Sequence, residues 1–207
     1  MRIIGLTGGI GTGKSEVSAT LRSLGGEIID ADREGHLAYR KDTEGWRRLL
    51  ELFGESIKGE DGEIDRRQLG QLVFGDPQAM GRLNAAIHPL IKDRVSARIQ
   101  ELADGGTDVA VIDAALFYQA GWDDLTNEVW VVTSPSDQTL ARLAAQRGMD
   151  EEEARGRIEA QEPPEAIASR ADVVIENKGT LEQLKANVTS IWNERNFPRG
   201  DSQNGGH

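Results

Sequence analysis

The stretch GGIGTGKS, residues 8–15, decides the fold that this chain can adopt. It fits the pattern G-x-x-x-x-G-K-[ST], in which backbone N–H groups surround nucleotide phosphates. Residues 2–6 before it (RIIGL) are apolar and β-branched enough for a short buried strand. Residues 16–24 after it have the apolar spacing of a helix, which Gly25-Gly26 would end. The sequence therefore predicts a strand–loop–helix unit that binds phosphate where the helix begins.

Two side chains of this loop carry the chemistry expected of it. Lys14 is expected to reach the β- and γ-phosphates of a nucleotide, and the Ser15 hydroxyl is expected to hold Mg²⁺. A plain glycine-rich turn is the alternative, but the strand before the loop and the helix after it make an accidental match rarer. A dinucleotide-binding G-x-G-x-x-G loop is excluded, because its third glycine would fall on Lys14 or Glu16.

Composition narrows the class of protein. The 207 residues suffice for one sizeable domain with small inserted lobes. The formal net charge of −11 argues against nucleic acid as a partner, and no apolar run approaches the length of a membrane span. The chain has no cysteine, so disulfides and thiolate metal sites are excluded, and its first residues lack a secretory pattern. We therefore expect a cytoplasmic protein.

Apolar segments that alternate with helical patterns predict the architecture. Four strands are predicted after the first one, at residues 27–30 (EIID), 108–113 (DVAVID), 128–133 (EVWVVT) and 172–176 (DVVIE). A helix is predicted to begin at Ser134-Pro135, and Thr180 is predicted to cap the last helix. This alternation predicts an α/β fold with a parallel sheet of about five strands between layers of helices.

Residues 34–104, between the second and third predicted strands, are almost wholly helical by pattern. Their apolar stripes are expected to form a core rather than a cofactor site. Asp65 is predicted to cap one helix and Asp76-Pro77 to start the next. His88-Pro89 is expected to interrupt the helical run before a long last helix. This block therefore predicts a helical lobe inserted into the sheet domain.

Charged residues near the ends of predicted strands are candidates for chemistry. Asp32 follows the strand at 27–30, where it is either the N-cap of the next helix or a catalytic carboxylate. Asp113 ends the strand at 108–113, where P-loop proteins place a carboxylate near the metal. Arg142 and Arg147 flank a charge-rich segment typical of a mobile lid, and cations there would stabilise a transferring phosphoryl group.

Taken together, these motifs resemble those of the dephospho-CoA kinase family. The resemblance is carried by the extended P-loop GLTGGIGTGKS (5–15), DAD (30–32), IHPLI (87–91), a strand ending D-x-x-L-F (113–117), Arg142, Arg147, RIEAQ (157–161), ADVVIEN (171–177) and Gly179. It covers residues 1 to about 194. The extended P-loop with DAD and HP at these distances is far more specific than the P-loop alone.

The resemblance implies a three-layer P-loop kinase fold with an inserted helical substrate lobe and a lid. The expected division is a single domain at 1–195, with its core at 1–32, 107–138 and 170–195, the substrate lobe at about 33–104, the lid at about 139–165, and a disordered tail at 196–207. ATP and dephospho-CoA are the expected partners, with no nucleic acid and no membrane, and the protein is expected to be a monomer or a weak homo-oligomer.

The activity implied by the resemblance is ATP- and Mg²⁺-dependent phosphorylation of the 3′-hydroxyl of dephospho-CoA, the last step of coenzyme A synthesis. Asp32 is implied as the base, and Lys14, Arg142 and Arg147 as the catalytic cations. The implied ATP-binding residues are Gly9, Gly11, Thr12, Gly13, Lys14, Ser15, Glu16 and Asn177. The implied acceptor-binding residues are Asp32, His88, Leu116 and Phe117, and the implied metal site is Ser15 with Asp113, the latter through water. For His88, capping or packing beside Pro89 is an equal alternative.

Three positions depart from the family's pattern. Gln119 stands where the family usually has an acid, and Glu16 stands where it usually has a hydroxyl after the P-loop serine. Ile167 stands where many relatives have a basic residue, and Arg170 is the candidate to replace that charge.

Three other functions compete with this interpretation. A nucleoside monophosphate kinase would share the loop, lobe and lid but not DAD with HP. A GTPase switch would need an aspartate where Thr180 stands. Its D-x-x-G motif would be residues 32–35, which follow the P-loop too closely to leave room for a switch segment. An inactive binding protein is disfavoured because Lys14, Ser15, Asp32 and Asp113 are all present.

Overall fold

A parallel sheet forms the centre of the protein. The computed structural model describes residues 1–198, apart from the side chains of Gln146 and Arg147. Its strands are β1 (Arg2–Gly8), β2 (Glu27–Asp30), β3 (Val109–Asp113), β4 (Glu128–Thr133) and β5 (Val173–Glu176). They form a five-stranded sheet in the order β2-β3-β1-β4-β5, in which β1 pairs in parallel with β3 and β4, and β4 with β5. The predicted α/β fold with a parallel sheet of about five strands is confirmed.

Helices flank the sheet and fill the long insertion. They are α1 (Lys14–Ser23), α2 (Ala31–Ala38), α3 (Glu44–Phe53), α4 (Arg66–Val73), α5 (Pro77–Asp104), α6 (Ser136–Arg147), α7 (Glu151–Glu159), α8 (Pro164–Ala168) and α9 (Leu181–Glu194). Short 3₁₀ turns lie at Glu55–Ile57 and Asp123–Leu125. Among the described residues, no helix is both long and apolar enough to cross a membrane.

The central strand of the sheet, β1, is buried on both faces, as its apolar sequence predicts. Ile4 and Leu6 of β1 are fully buried in a core that also contains Trp130 and Trp192. Helices α1 and α9 pack against each other beside this core. Thr180 caps α9 as predicted, through a capping box with Gln183. A rigid strand and a packed helix therefore fix the two ends of the P-loop.

The chain divides into two compact units. One contains residues 1–29 and the chain from Glu101 onward, and the other is Asp30–Gln100. The second unit has its own apolar core, built from α3, α4 and α5 around the fully buried Leu49 and Ile57. Asp65 and Asp76 accept hydrogen bonds from backbone N–H groups at the starts of α4 and α5, as the sequence predicts.

Helix α5 differs from the prediction made for it. The expected interruption at His88-Pro89 is wrong, because α5 continues through both residues. Pro89 has no N–H to donate to the preceding turn, and its ring crowds the carbonyl there. Ile87, Leu90 and Ile91 pack into the core of this unit on either side of Pro89. Their burial outweighs one missing hydrogen bond.

The capping residue of α2 is Asp30 and not Asp32. The Oδ1 atom of Asp30 accepts the backbone N–H of Arg33 at 2.9 Å, while Asp32 is the second residue of the helix. The alternative that Asp32 is the N-cap is therefore wrong. Asp32 is exposed at the start of α2.

The folded chain extends past the predicted domain end at residue 195. Phe197 is 6 % exposed, and its ring centroid lies 4.9 Å from that of Trp192. The guanidinium of Arg2 lies 5.7 Å from the centre of the same ring. Phe197 thus belongs to the core beside the sheet. The rest of the predicted tail, from residue 199 on, lies outside the described residues.

Candidate active site

The P-loop connects the carboxyl end of β1 to the start of α1. Its last turn requires glycine, because Gly13 has φ +98° and a Cβ there would lie 2.4 Å from Nδ2 of Asn177. Thr12 Oγ1 donates to the carbonyl oxygen of Gly9 at 2.8 Å, which holds the loop closed on itself. Among the described residues, no side chain caps the first turn of α1. The backbone N–H groups of Lys14 and Ser15 at this helix start are therefore available to an anion, whereas that of Glu16 donates to the Gly13 carbonyl.

Lys14 and Asp113 form an ion pair at the mouth of the loop. The sheet register places Asp113, the last residue of β3, beside Leu6 of β1, so its carboxylate comes to the edge from which the P-loop starts. Both side chains are mostly buried, with exposed fractions of 18% for Lys14 and 16% for Asp113. Each charge is therefore compensated by the other.

Ser15 and Asp113 fit the predicted magnesium site by chemistry. A hydroxyl and a carboxylate are hard oxygen donors of the kind that Mg²⁺ prefers, and Mg²⁺ usually takes few protein ligands because substrate phosphates and water supply the others. Within the part of the chain that the structure describes, no group of three or more His, Asp or Glu residues could hold a metal alone. The donor set is one that would be completed by a nucleotide.

Asn177 supports the P-loop from the loop after β5. Its Nδ2 atom donates to the carbonyl oxygen of Thr12 at 2.9 Å, and its own N–H donates to the carbonyl of Thr133 at 2.8 Å. The residue is 6 % exposed. The sequence predicted an ATP contact for Asn177; the structure shows a buried amide that ties the end of β5 to the phosphate loop.

Arg142 of α6 is hydrogen-bonded to the loops that follow β4 and β5. Its guanidinium donates to Ser134 Oγ at 2.7 Å, to Gln138 Oε1 at 3.1 Å and to the carbonyl of Asn177 at 3.3 Å. Thr139 and Leu143 of the same helix, α6, are buried against the P-loop at Gly11. This half of α6 therefore belongs to the packed core rather than to a free lid. The side chain of Arg147 lies outside the described residues.

Gln161 is a P-loop contact to which the sequence analysis gave no role. Its Oε1 atom accepts the backbone N–H of Ile10 at 2.8 Å. The residue follows α7 within the predicted lid, so a lid side chain satisfies one of the phosphate loop's donors. The motif R-I-x-x-Q contained this residue, but a glutamine in a helical pattern gave no sign of its distant partner.

The residues predicted to contact the acceptor differ in how exposed they are to solvent. His88 lies within α5, half-buried, and burial lowers the pKa of its imidazole. Leu116 is 54 % exposed, whereas Phe117 is fully buried. A Cβ on Gly5 would lie 2.4 Å from the Phe117 ring, which fills the space that this glycine leaves. Phe117 thus has the position of a core residue rather than of the predicted substrate contact.

The three departures from the family pattern have distinct surroundings. Ile167 borders a small cavity beside Gly9 and Ile10 of the P-loop. Arg170 does not replace the charge missing there, because it pairs with Glu162 at 2.6 Å and stacks on Tyr118. The side chains of Glu16 and Gln119 are exposed, and nothing in the structure gives Gln119 a role. The backbone N–H of Glu16 donates to the carbonyl of Gly13 at 3.0 Å.

The family model and the relatives found by sequence agree on one family. The family model described as dephospho-CoA kinase matches residues 2–183. A dephospho-CoA kinase from Geobacter sulfurreducens is 44% identical over 198 residues, which are 96% of this chain and 100% of that protein. Among solved structures, TT1252 from Thermus thermophilus matches with a TM-score of 0.78 and 34% identity, over 93% of this chain and 97% of its own. A dephospho-CoA kinase from Campylobacter jejuni shares the fold, with a TM-score of 0.71 at 24% identity, over 94% and 98% of the two chains.

Proposed function

The chain belongs to the dephospho-CoA kinase family, and from this premise we propose that it phosphorylates the 3′-hydroxyl of dephospho-CoA with ATP. The products are CoA and ADP, and the reaction is the final step of coenzyme A biosynthesis. The observation that carries this proposal is the family match over residues 2–183, which includes both the P-loop and the helical insertion.

The P-loop is the site for the donor phosphates. Backbone N–H groups at the start of α1 face the phosphates, and Lys14 supplies a positive charge to the β- and γ-phosphates. Lys14 is paired with Asp113 in the structure, so phosphate binding exchanges one anionic partner of the ammonium group for another. The ATP contacts assigned to Gly9, Gly11, Thr12, Gly13, Ser15, Glu16 and Asn177 belong to this proposal.

Asp32 is the proposed base. A ribose hydroxyl is a weak nucleophile, and a carboxylate within hydrogen-bond reach orients it and accepts its proton late in the reaction. The bond from the 3′-oxygen to the γ-phosphorus forms as the bond to the β-phosphate oxygen breaks, and the proton passes to the carboxylate. The exposed position of Asp32 and the assignment of the cap to Asp30 support this role, since capping makes no demand on Asp32.

Ser15 and Asp113 are the proposed holders of Mg²⁺, with Asp113 acting through water. Bound there, the ion would neutralise charge that develops on the phosphates. The guanidinium of Arg142 donates to the carbonyl oxygens of Gly11 in the P-loop, at 3.5 Å, and of Asn177 in the β5–α9 loop, at 3.3 Å. We assign it a positioning role between these loops as well as its charge near the phosphates. Arg147 is the proposed lid cation, and His88 and Leu116 are proposed acceptor contacts.

An assay of ATP consumption tests the function directly. Dephospho-CoA is offered as the acceptor beside AMP, CMP and shikimate, each with and without Mg²⁺. We expect turnover with dephospho-CoA that far exceeds turnover with the other acceptors and that requires the metal. Turnover with AMP or CMP and none with dephospho-CoA would replace this proposal by a nucleoside monophosphate kinase.

A further inference from the structure

Gln161, near the end of the proposed lid, meets the P-loop at two adjacent residues. Its Oε1 atom accepts the backbone N–H of Ile10 at 2.8 Å. The same oxygen would lie 3.0 Å from a Cβ on Gly9, which is closer than a methyl group normally packs. The carboxamide of Gln161 is therefore held directly against the backbone of the phosphate loop.

Gly9 leaves the space that this carboxamide occupies. Gly11 and Gly13 of the same loop have positive φ values, at which a side chain is strained, but Gly9 does not. Besides Gln161, the nearest atom that a Cβ on Gly9 would meet is Cγ2 of Thr12, at an ordinary contact distance of 3.6 Å. Within the described residues, the close approach of Gln161 is therefore the physical reason for a glycine at this position.

The contact completes the hydrogen bonding of the turn that opens the P-loop. The carbonyl oxygen of Gly9 accepts the N–H of Thr12 at 3.3 Å and the Thr12 hydroxyl at 2.8 Å. The N–H of Ile10, inside the same turn, has Gln161 as its acceptor. A turn whose donors are paired keeps one shape, and a loop held in one shape loses less conformational entropy when it binds phosphate.

The lid is attached to the P-loop on both sides of α7. Before α7, Thr139 and Leu143 of α6 pack against Gly11, where a Cβ would lie 3.0 Å and 3.1 Å from them. After α7, Gln161 packs against Gly9. The segment that would close over the nucleotide therefore starts and ends on the loop that is proposed to bind the nucleotide's phosphates.

We propose that Gln161 is a positioning residue of the donor site. It keeps the first turn of the P-loop in the shape that the ATP phosphates require, and it fixes the end of the lid to that turn. The inference rests on the proposed function, because it takes the P-loop as the site of the donor phosphates. Gln161 acts through the backbone of Ile10 rather than on the reacting atoms, and Gly9 is its partner, because a side chain there would displace the carboxamide.

Gln161→Met tests the hydrogen bond, since methionine has a similar length but lacks the carbonyl acceptor. We expect the KM for ATP to rise roughly threefold to tenfold, as the loss of one hydrogen bond does. The KM for dephospho-CoA should not change, and the melting temperature should stay within a few degrees of the wild type. Steady-state kinetics with each substrate varied in turn and a thermal denaturation curve measure these effects.

Glu159→Met is the matched control, because Glu159 is an exposed residue of the same segment, two positions before Gln161. This variant should keep the KM for ATP of the wild type, and an equal rise in it would overturn the proposal. A lowered melting temperature with an unchanged KM for ATP in Gln161→Met would show a merely structural role. A lowered KM for ATP would show that Gln161 competes with the nucleotide for the loop. Either result would overturn the proposal.

Gly9→Ala tests the second half of the proposal. The added methyl group displaces the carboxamide, so this variant should also raise the KM for ATP. In Gln161→Met the hydrogen bond is already lost, and the flexible methionine can move away from the methyl group. The double variant should therefore have a KM for ATP close to that of the worse single variant. A KM raised by the product of the two single effects would show that Gly9 and Gln161 act independently, which contradicts their assignment as a pair.

Binding of ATP alone separates this proposal from the proposed function. If the wild type fails to phosphorylate dephospho-CoA, the proposed function is wrong, and calorimetric titration of ATP then tests Gln161 by itself. A lower affinity of Gln161→Met than of the wild type would support the positioning role. Equal affinities of the two proteins would overturn it.

Discussion

Asp30 and Asp32 stand two residues apart at the start of α2, and the structure separates their roles. Asp30 accepts the N–H of Arg33 and so fixes the first turn of the helix. Asp32 lies one residue inside the helix, exposed, on the face that carries His36. We therefore expect substitution of Asp32 to affect turnover, whereas an asparagine at Asp30 should leave both turnover and stability nearly unchanged.

Asp32→Asn is expected to lower turnover at least a hundredfold, because an amide keeps the shape of the carboxylate but cannot accept a proton. ATP affinity and the melting temperature should stay close to those of the wild type. Steady-state kinetics with dephospho-CoA and a thermal denaturation curve measure both effects.

Asp30→Asn is the matched control for this prediction. Asparagine caps a helix about as well as aspartate, so this variant should keep both its stability and most of its turnover. Retention of more than about a tenth of the activity in Asp32→Asn would show that another carboxylate is the base. A comparable loss of activity in Asp30→Asn would point to Asp30 itself.

At the scale of single elements, α5 shows how packing overrides a local preference. The helix runs for 28 residues through Pro89, although proline lacks the N–H that a helix interior needs. The apolar neighbours Ile87, Leu90 and Ile91 keep it continuous by packing into the core of the helical unit. Pro89 is therefore a residue that the fold tolerates at an energetic cost.

Pro89→Ala should stabilise the protein by up to about 3 kcal/mol, since it restores one helical hydrogen bond and removes the steric conflict of the ring. Urea denaturation of the two proteins measures the difference. The gain in stability will be smaller than about 3 kcal/mol, because alanine also loses the restriction that proline places on the unfolded chain.

Gly81→Ala on the same helix is the reference variant, with which the stability change of Pro89→Ala is compared. A Cβ on Gly81 would meet no atom within 4 Å, so only the helix propensity changes, and the expected gain is about 1 kcal/mol. A destabilised Pro89→Ala variant beside a stabilised Gly81→Ala variant would mean that the helix requires the proline's shape at that position.

At the scale of the whole molecule, the helix α7 of the proposed lid has few buried attachments. In α7 only Ala154 is buried, and the ion pairs Arg155–Glu151 and Arg157–Glu153 are exposed pairs of one helical turn. Such pairs contribute about 0.3–0.5 kcal/mol each. The hydrogen bond from Ile10 to Gln161 joins the end of this segment to the P-loop. Since α6 is packed on the core at Leu143, we place the moving part of the lid after Gly148.

Trypsin cleavage after Arg155 and Arg157 should slow several-fold when a bisubstrate analogue of ATP and dephospho-CoA binds, because closure over the ligand protects the segment. Mass spectrometry of timed digests measures the rate at each site. The Lys14→Ala variant with the same analogue is the control for direct effects of the ligand on the protease. Equal cleavage with and without ligand in the wild type would show that the segment is static.

The sequence by itself determined the family, the P-loop, the strands and several helix starts of this protein. These features depend on local physics: apolar periods, glycines at the phosphate loop, and capping residues such as Asp65 and Thr180. The tertiary structure alone decided that Asp30 rather than Asp32 caps α2, and that α5 continues through Pro89. It also brought Asn177 and Gln161 to a loop that lies more than 150 residues away in the chain. Such contacts follow from the order of strands in the sheet and from burial, because two distant side chains carry no local sign of the partner that packing will give them.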